Sequence, residues 1–214
     1  MARSTLIFLK VLVWLACLAP VALLVWGAVT NNLGPDPTAR IAFSTGLTTL
    51  RLLILTLAIT PFRRLGASLV PPLAAQFNGL IKFRRLLGLF AFFYATLHML
   101  TYVALYSGFD LHAMLADVTR RRFITMGVAA YLLLLPLALT STTWAIRKLG
   151  GKNWNRLHKL IYFAAICGVI HYWWQVKPGV LTPITITVIL AVLFAARPIL
   201  AWLQRRKARA AAEV

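Results

Sequence analysis

The chain has 214 residues, 61% of them hydrophobic, with 13% charged and a mean hydropathy of +0.81. A water-soluble domain of this size needs a more polar surface, so the composition points to an integral membrane protein. The formal charge of +19 is large, but no soluble basic domain exists to carry a nucleic-acid site, so nucleic acid is excluded as a partner and the charge is assigned to orientation in a bilayer.

Apolar runs of roughly 20 residues read as spans. Six occur, at about Leu6–Val29, Ile41–Phe62, Leu80–Tyr106, Phe123–Thr143, Leu157–Val176 and Leu181–Leu203. The first is too long for a typical signal core and lacks a convincing small-residue cleavage site, so it is expected as a retained helix. The connections are short and rich in Gly, Pro, Asn and Asp, as in NNLGPDP (Asn31–Pro37) and GGKN (Gly150–Asn153). The expected fold is an all-α integral membrane protein, a six-transmembrane helix bundle forming one domain over residues 1–214.

With six spans, Arg3, Lys10, Arg63, Arg64, Lys82, Arg84, Arg85, the Arg147–Lys159 cluster and the basic tail all fall on one side. The positive-inside rule puts that side, and both termini, in the cytoplasm. The run Arg120–Arg122 is the exception, read as an interfacial anchor or as a docking surface for an acidic partner or lipid. The four acids, Asp36, Asp110, Asp117 and Glu213, lie in loops or the tail. Proton-coupled transporters commonly use intramembrane carboxylates, so their absence from the spans weighs against a transporter. H-E-x-x-H and G-x-S-x-G are also missing, which removes the usual intramembrane protease signatures.

Histidine in hydrocarbon is costly and therefore marks a functional site. His98 lies in ATLHMLTY within the third span; His158 opens the fifth span and His171 closes it. The thirteen residues between His158 and His171 correspond to roughly 20 Å along a helix, too far for one metal ion. Spans three and five both run outward, and His98 and His171 come at similar depth. One histidine from each of two facing helices is the arrangement that clamps a haem iron, so these two are the expected axial ligands of a b-type haem. No C-x-x-C-H sequence is present for covalent c-type attachment, and Cys17 and Cys167 read as small buried hydrophobes.

His158 is out of phase with His171 by about 140° on a regular helix. Either a one-residue bulge corrects the phase or His158 sits at a looser helix start. Its counterparts on the third span are Arg85 and Arg84, which cannot ligate iron but could neutralise a haem propionate or a flavin phosphate. Arg51, near the middle of the second span, is expected to face the bundle interior and meet a propionate, a cofactor phosphate or helix-end carbonyls. His112 reads as a solvated loop histidine. Tyr172–Trp174, Trp144 and Trp154 read first as an interfacial belt.

Several stretches taken together carry a family resemblance: LGPDP (Leu33–Pro37), STG (Ser44–Gly46), LTLAITPFRR (Leu55–Arg64), ATLHMLTY (Ala95–Tyr102), RKLGGKNWNRLHKLIY (Arg147–Tyr162) and IHYWWQVK (Ile170–Lys177). The chain resembles the MsrQ (YedZ) family within the ferric-reductase-like transmembrane group. The resemblance implies that His98, His158 and His171 are the haem-associated histidines. It further implies one or two haems b, FMN as a cofactor, and a bacterial inner-membrane location. Electrons would pass from the respiratory quinol pool to a periplasmic, molybdopterin-containing, MsrP-like methionine sulfoxide reductase that repairs oxidised envelope proteins. FMN rests on the resemblance alone. The sulfoxide chemistry would belong to the partner, leaving this chain as an electron-transfer subunit.

Two other readings remain open at this stage. One is a ferric-reductase-like or quinol-oxidising cytochrome b with another acceptor; the tail after the sixth span is too short for an FAD or NADPH domain, which weighs against a self-contained oxidase. The other is a non-redox transporter or assembly protein whose histidines are structural.

Overall fold

The computed structural model describes residues 3–177 and 179–210; Glu213 lies outside them. Among the described residues the chain is helical and has no strand. The helices are α1 (Arg3–Val29), α2 (Pro37–Leu69), α3 (Ala74–Gly79), α4 (Arg84–Thr101), α5 (Leu111–Arg120), α6 (Arg122–Leu139), α7 (Thr143–Leu157), α8 (Leu160–Gln175) and α9 (Thr182–Ala210). Short 3-10 segments, Pro71–Leu73 and Leu80–Phe83, flank α3, and a π turn, Tyr102–Tyr106, extends α4.

The helix starts follow from local chemistry. Asp36 accepts the Ala39 N–H at 2.9 Å, and Pro37 occupies the first turn of α2. Asp110 accepts from the N–H groups of His112 and Ala113 and so opens α5. Thr142 accepts from Ala145 N–H at the head of α7. Inside α7, Gly150 adopts φ 73° and ψ 148°, a conformation that strains other residues, so α7 is two short helical pieces with a sharp break.

The core is two helix pairs packed on each other: α2 with α4, and α6 with α8. Ala91 and Ala95 on α4, and Ala164, Ala165 and Gly168 on α8, let the backbones come close. Leu50, Leu53 and Leu57 of α2 fill the seam, with Leu50 Cδ2 only 3.1 Å from where a Cβ on Gly168 would stand. Helix α9 rests on α2 and α8, and α1 on α2 and α4. Large apolar side chains such as Phe8, Trp14, Trp26, Leu132, Phe163 and Val192 are exposed, as a lipid-facing surface requires. Threonines 45, 49, 56, 96 and 101 satisfy their hydroxyls by donating to the carbonyl one turn back on their own helix.

Helix α1 is held by one buried side chain. Pro20 interrupts the α1 hydrogen-bond ladder, and the Tyr94 hydroxyl enters the break. It accepts the Val21 N–H at 3.1 Å and donates to the Cys17 carbonyl at 2.7 Å, while Tyr94 itself is fully buried. A side chain inserted into a helix ladder in this way fixes the bend as well as the contact.

The structure revises several sequence expectations. Among the described residues, five helical stretches are long and apolar enough to cross a membrane: Ser4–Val29, Pro37–Leu69, Pro71–Tyr106, Arg122–Leu139 and Thr182–Arg206. The expected fifth span becomes a 16-residue helix, α8, about 24 Å long by rise per residue. Two connections read as loops contain helices, α5 and α7. Arg51 does not face the interior. At 100° per residue the buried positions of α2, from Thr45 to Pro61, cover one side, and Arg51 falls roughly opposite their middle; it is exposed, with no hydrogen-bond partner among the described residues. Leucines 50, 52 and 53 take the inward positions around it.

The Tyr94 clamp is open to test. Tyr94→Phe leaves the Cys17 carbonyl and Val21 N–H without a partner in an apolar setting, a loss of about 1–3 kcal/mol. The thermal midpoint of the detergent-solubilised variant should fall, and α1 should become easier to cleave by protease. An unchanged midpoint and cleavage pattern would remove the hydroxyl from the account of how α1 is held.

Candidate functional site

The third and fifth apolar runs bring two of the four histidines face to face. His98 projects from the end of α4 and His171 from the end of α8; their ring centroids are 5.8 Å apart and the rings meet nearly edge-on, at 80°. Two metal–nitrogen bonds of about 2.0 Å plus the two ring radii give a separation of about 6 Å, so the spacing suits two imidazoles on one ion.

Each ring is oriented by a main-chain acceptor. His98 Nδ1 lies 2.9 Å from the Ala42 carbonyl of α2, and His171 Nδ1 lies 2.7 Å from the Phe123 carbonyl of α6. A carbonyl can only accept, so each Nδ1 carries the proton and each Nε2 keeps its lone pair free. Metal-ligating histidines characteristically give their other N–H to such an acceptor. Thr45 Oγ1, 3.4 Å from His98 Nδ1, adds a further polar neighbour.

The same device appears on both helix pairs. One turn after Ala42 is Gly46, where an ideal Cβ would lie 3.0 Å from His98 Cε1 and 3.2 Å from Nδ1. One turn after Phe123 is Gly127, where it would lie 2.9 Å from His171 Nδ1 and 3.0 Å from Cε1. The missing side chain lets each imidazole lie against the neighbouring helix closely enough to reach the carbonyl. Sequence reasoning missed both glycines; the visible signal was a lone glycine in each apolar run that partners a histidine-bearing one. Two neutral imidazoles with Nδ1 bonded to carbonyls and Nε2 lone pairs free are the donor set that a bis-histidine haem iron takes. The residues present fit that group.

His158 lies apart from this pair. It is neither bulged nor inside α8 but sits in the turn between α7 and α8, so the looser helix start is the alternative that applies. Its ring stacks on Trp154, with centroids 3.7 Å apart at 26°. Its Nδ1 donates to the Trp154 carbonyl at 3.0 Å, and its Nε2 is buried with no partner. Trp154 in turn donates its Nε1–H to the Thr140 carbonyl at 2.9 Å, so it orients a histidine rather than serving only in an interfacial belt. Arg84 is half-buried and within electrostatic range of His158. Arg85 is exposed, as Arg51 is.

Asp117 pairs with Arg121 at 3.0 Å and accepts from the Tyr102 hydroxyl at 3.0 Å, tying α5 to the π turn. Arg120 and Arg122 are exposed, and so is His112. Tyr172 is buried and lies against Phe43, whereas Trp144, Trp173 and Trp174 are exposed. Cys17 and Cys167 are both free.

Comparison with known proteins gives a consistent answer. A family model described as "Ferric reductase like transmembrane component" matches residues 45–169, from α2 into α8. A protein of Herminiimonas arsenicoxydans is 44% identical over 209 residues, covering 97% of this chain and 92% of its own. One from Xanthomonas axonopodis pv. citri is 45% identical over 200 residues, covering 89% and 85%. One from Rhodospirillum rubrum is 43% identical over 204 residues, covering 94% and 92%. All three carry the name protein-methionine-sulfoxide reductase heme-binding subunit MsrQ.

The paired glycines yield a prediction. Gly46→Ala or Gly127→Ala pushes the adjacent ring off its carbonyl, and haem affinity should fall about 10–100-fold, as when an outer-shell partner is lost. Haem per chain after purification, by pyridine haemochrome, reads the effect. Gly88→Ala is the control, since its nearest neighbour is Thr56 Cγ2 at 3.8 Å. Equal haem content in all four proteins would show that the close approach does not hold the rings.

Proposed function

Because the chain belongs to the MsrQ group of the ferric-reductase-like transmembrane family, we propose that it is a b-type cytochrome of the bacterial inner membrane. In this reading it passes electrons from quinol to a periplasmic, molybdopterin-containing, MsrP-like methionine sulfoxide reductase, which repairs oxidised envelope proteins. The carrying observation is the pair His98 and His171, facing each other at 5.8 Å with both Nδ1 protons given to carbonyls.

The chain's own residues have defined tasks in this reading. Ala42 and Phe123 fix the tautomers through their carbonyls, Gly46 and Gly127 admit the rings, and His98 and His171 would hold the haem iron through their free Nε2 atoms. Haem b bound there would supply one-electron transfer. The apolar seam of Leu50, Val169 and Tyr172 keeps water away from that position. His158 lends its free Nε2 to a second cofactor near the opposite end, either a second haem or FMN, with Arg84 beside it.

The proposed topology has six spans, with α8 as the fifth and α7 leading into it, in a single transmembrane domain. Both termini are then cytoplasmic, because the clustered Lys and Arg residues lie at the ends of α1, α2 and α9 and around α4 and α7. This puts His98 and His171 toward the periplasmic face. The names of the relatives support a methionine sulfoxide reductase as acceptor.

A dithionite-reduced minus oxidised spectrum of the purified protein tests the reading. A sharp b-type α band is expected, and His98→Ala or His171→Ala should abolish the bis-imidazole signal. Full haem content and an unchanged spectrum in both variants would sink the pairing. Reconstitution with a reduced quinone and the purified partner tests the route; reduction of other acceptors at the same rate, but not of the sulfoxide reductase, would favour a ferric-reductase-like cytochrome with a different acceptor.

A further inference from the structure

Helix α5 and the turn before it carry an apolar stripe that no other described part of the chain covers. Phe109, Leu111 and Leu115 are 69%, 72% and 69% exposed, and Leu105 and Tyr106 of the preceding π turn are exposed as well. Phe109 stands at φ 63°, a left-handed conformation uncommon for so bulky a residue. On α5, at 100° per residue, Leu111, Met114, Leu115 and Val118 fall within about 100° of one another, with Asp117 and Arg120 outside that arc. Met114 and Val118 are half-buried, so the two leucines form the uncovered part of the stripe.

The position of α5 in the chain says what that stripe meets. It joins Pro71–Tyr106 to Arg122–Leu139, both long and apolar enough to cross a membrane, so α5 lies where the chain leaves the bilayer and re-enters it. It is tied to both neighbours. The Tyr102 hydroxyl donates to Asp117 at 3.0 Å, and the Tyr102 N–H donates to the His98 carbonyl, which puts this tie one turn past His98. On the other side the Thr125 hydroxyl donates to the Val118 carbonyl, and nearby Phe123 offers its carbonyl to His171. Asp117 is already paired with Arg121. Arg120 and Arg122 are exposed and have no carboxylate partner among the described residues.

We propose that α5 is an interfacial helix that docks on the lipid surface at this end of the bundle. Phe109, Leu111 and Leu115 then lie among the outer acyl segments, with Arg120 and Arg122 at the level of the lipid phosphates. A helix divided in this way sinks its apolar side about 5–10 Å into the head-group boundary. Two features favour lipid over a soluble protein as the occupant. The stripe follows directly on Leu105 and Tyr106, exposed at the end of an apolar span, and the flanking charge is basic, the complement of phosphate. The docking also sets a depth. Tyr102 is four residues past His98, about 6 Å by rise per residue, so the His98–His171 pair is held a short way beneath the surface on which α5 rests. The inference needs the chain to span a bilayer, and needs neither haem nor a particular electron route.

Dye placement in vesicles tests the proposal. In the full chain carrying Cys17→Ala and Cys167→Ala, a nitrobenzoxadiazole dye on Leu115→Cys reports from the leucine stripe. The same dye on His112→Cys reports from the other margin of the exposed side. Both proteins are reconstituted in vesicles of phosphatidylcholine and phosphatidylglycerol. The Leu115 dye should emit to the blue of the His112 dye, and nitroxide-labelled lipid should quench it at least about twofold more. Iodide, present on both sides of the vesicle, should quench the His112 dye more. Adding Arg120→Gln and Arg122→Gln should lower the lipid quenching at Leu115. Circular dichroism and size-exclusion elution establish folding; should Leu115→Cys fail there, Leu111→Cys takes its place. A stripe dye as open to iodide as the His112 dye, with no added quenching by lipid, overturns the proposal and leaves the stripe to a soluble protein partner. Because dye depth rather than haem is read, this failure is distinct from failure of the proposed function.

Discussion

An imidazole in hydrocarbon must place its N–H somewhere, and the arrangement of the core follows from that need. Helix carbonyls carry a second lone pair after the ladder bond is made, and Ala42 and Phe123 each lend it to a histidine of the adjacent helix. To reach those oxygens the rings must lie almost on the neighbouring backbone, which only a glycine one turn away permits. The α2–α4 and α6–α8 pairs are each drawn together by this contact. The two pairs then dock through leucine, alanine and glycine, bringing the two rings to 5.8 Å across the seam. Packing and ligand geometry are thus one constraint, and a change in either disturbs both.

The distribution of charge has the same economy. The three described carboxylates sit at or beside helix starts, where Asp36 and Asp110 cap and Asp117 ties α5 to the end of α4. None remains to neutralise the arginines at the other end. The basic residues there fall into two groups. Exposed ones such as Arg85 and Arg147 suit the flanks of membrane spans, and half-buried ones such as Arg84 and Arg197 are within electrostatic range of one another.

Much of this was legible in the sequence. Apolar run length gave the helices, and matched depth paired His98 with His171, because both features depend on rise per residue alone. Facing was harder. The sequence places Arg51 in mid-span but not on a side of α2, and the leucines on either hand took the inward positions. Arg84 and Arg85 are likewise separable only by the helix phase at the start of α4. The α7–α8 break at His158 depends on where a helix stops, which local residues set weakly. Arg197 was visible as a charge inside an apolar run, the same signal that singled out Arg51, but its neighbours come from α2 and α8, far away in the chain.

The two ends of the bundle answer one cost in different ways. Near the start of α2, each imidazole gives its proton to a carbonyl and faces another imidazole, a closed and symmetric arrangement suited to holding one ion rigidly. Near the start of α8, a single imidazole stacks on Trp154, uses the Trp154 carbonyl, and has Arg84 within electrostatic range instead of a second histidine. Guanidinium offers donors and no lone pair, so that end cannot repeat the bis-imidazole clamp with the residues it has.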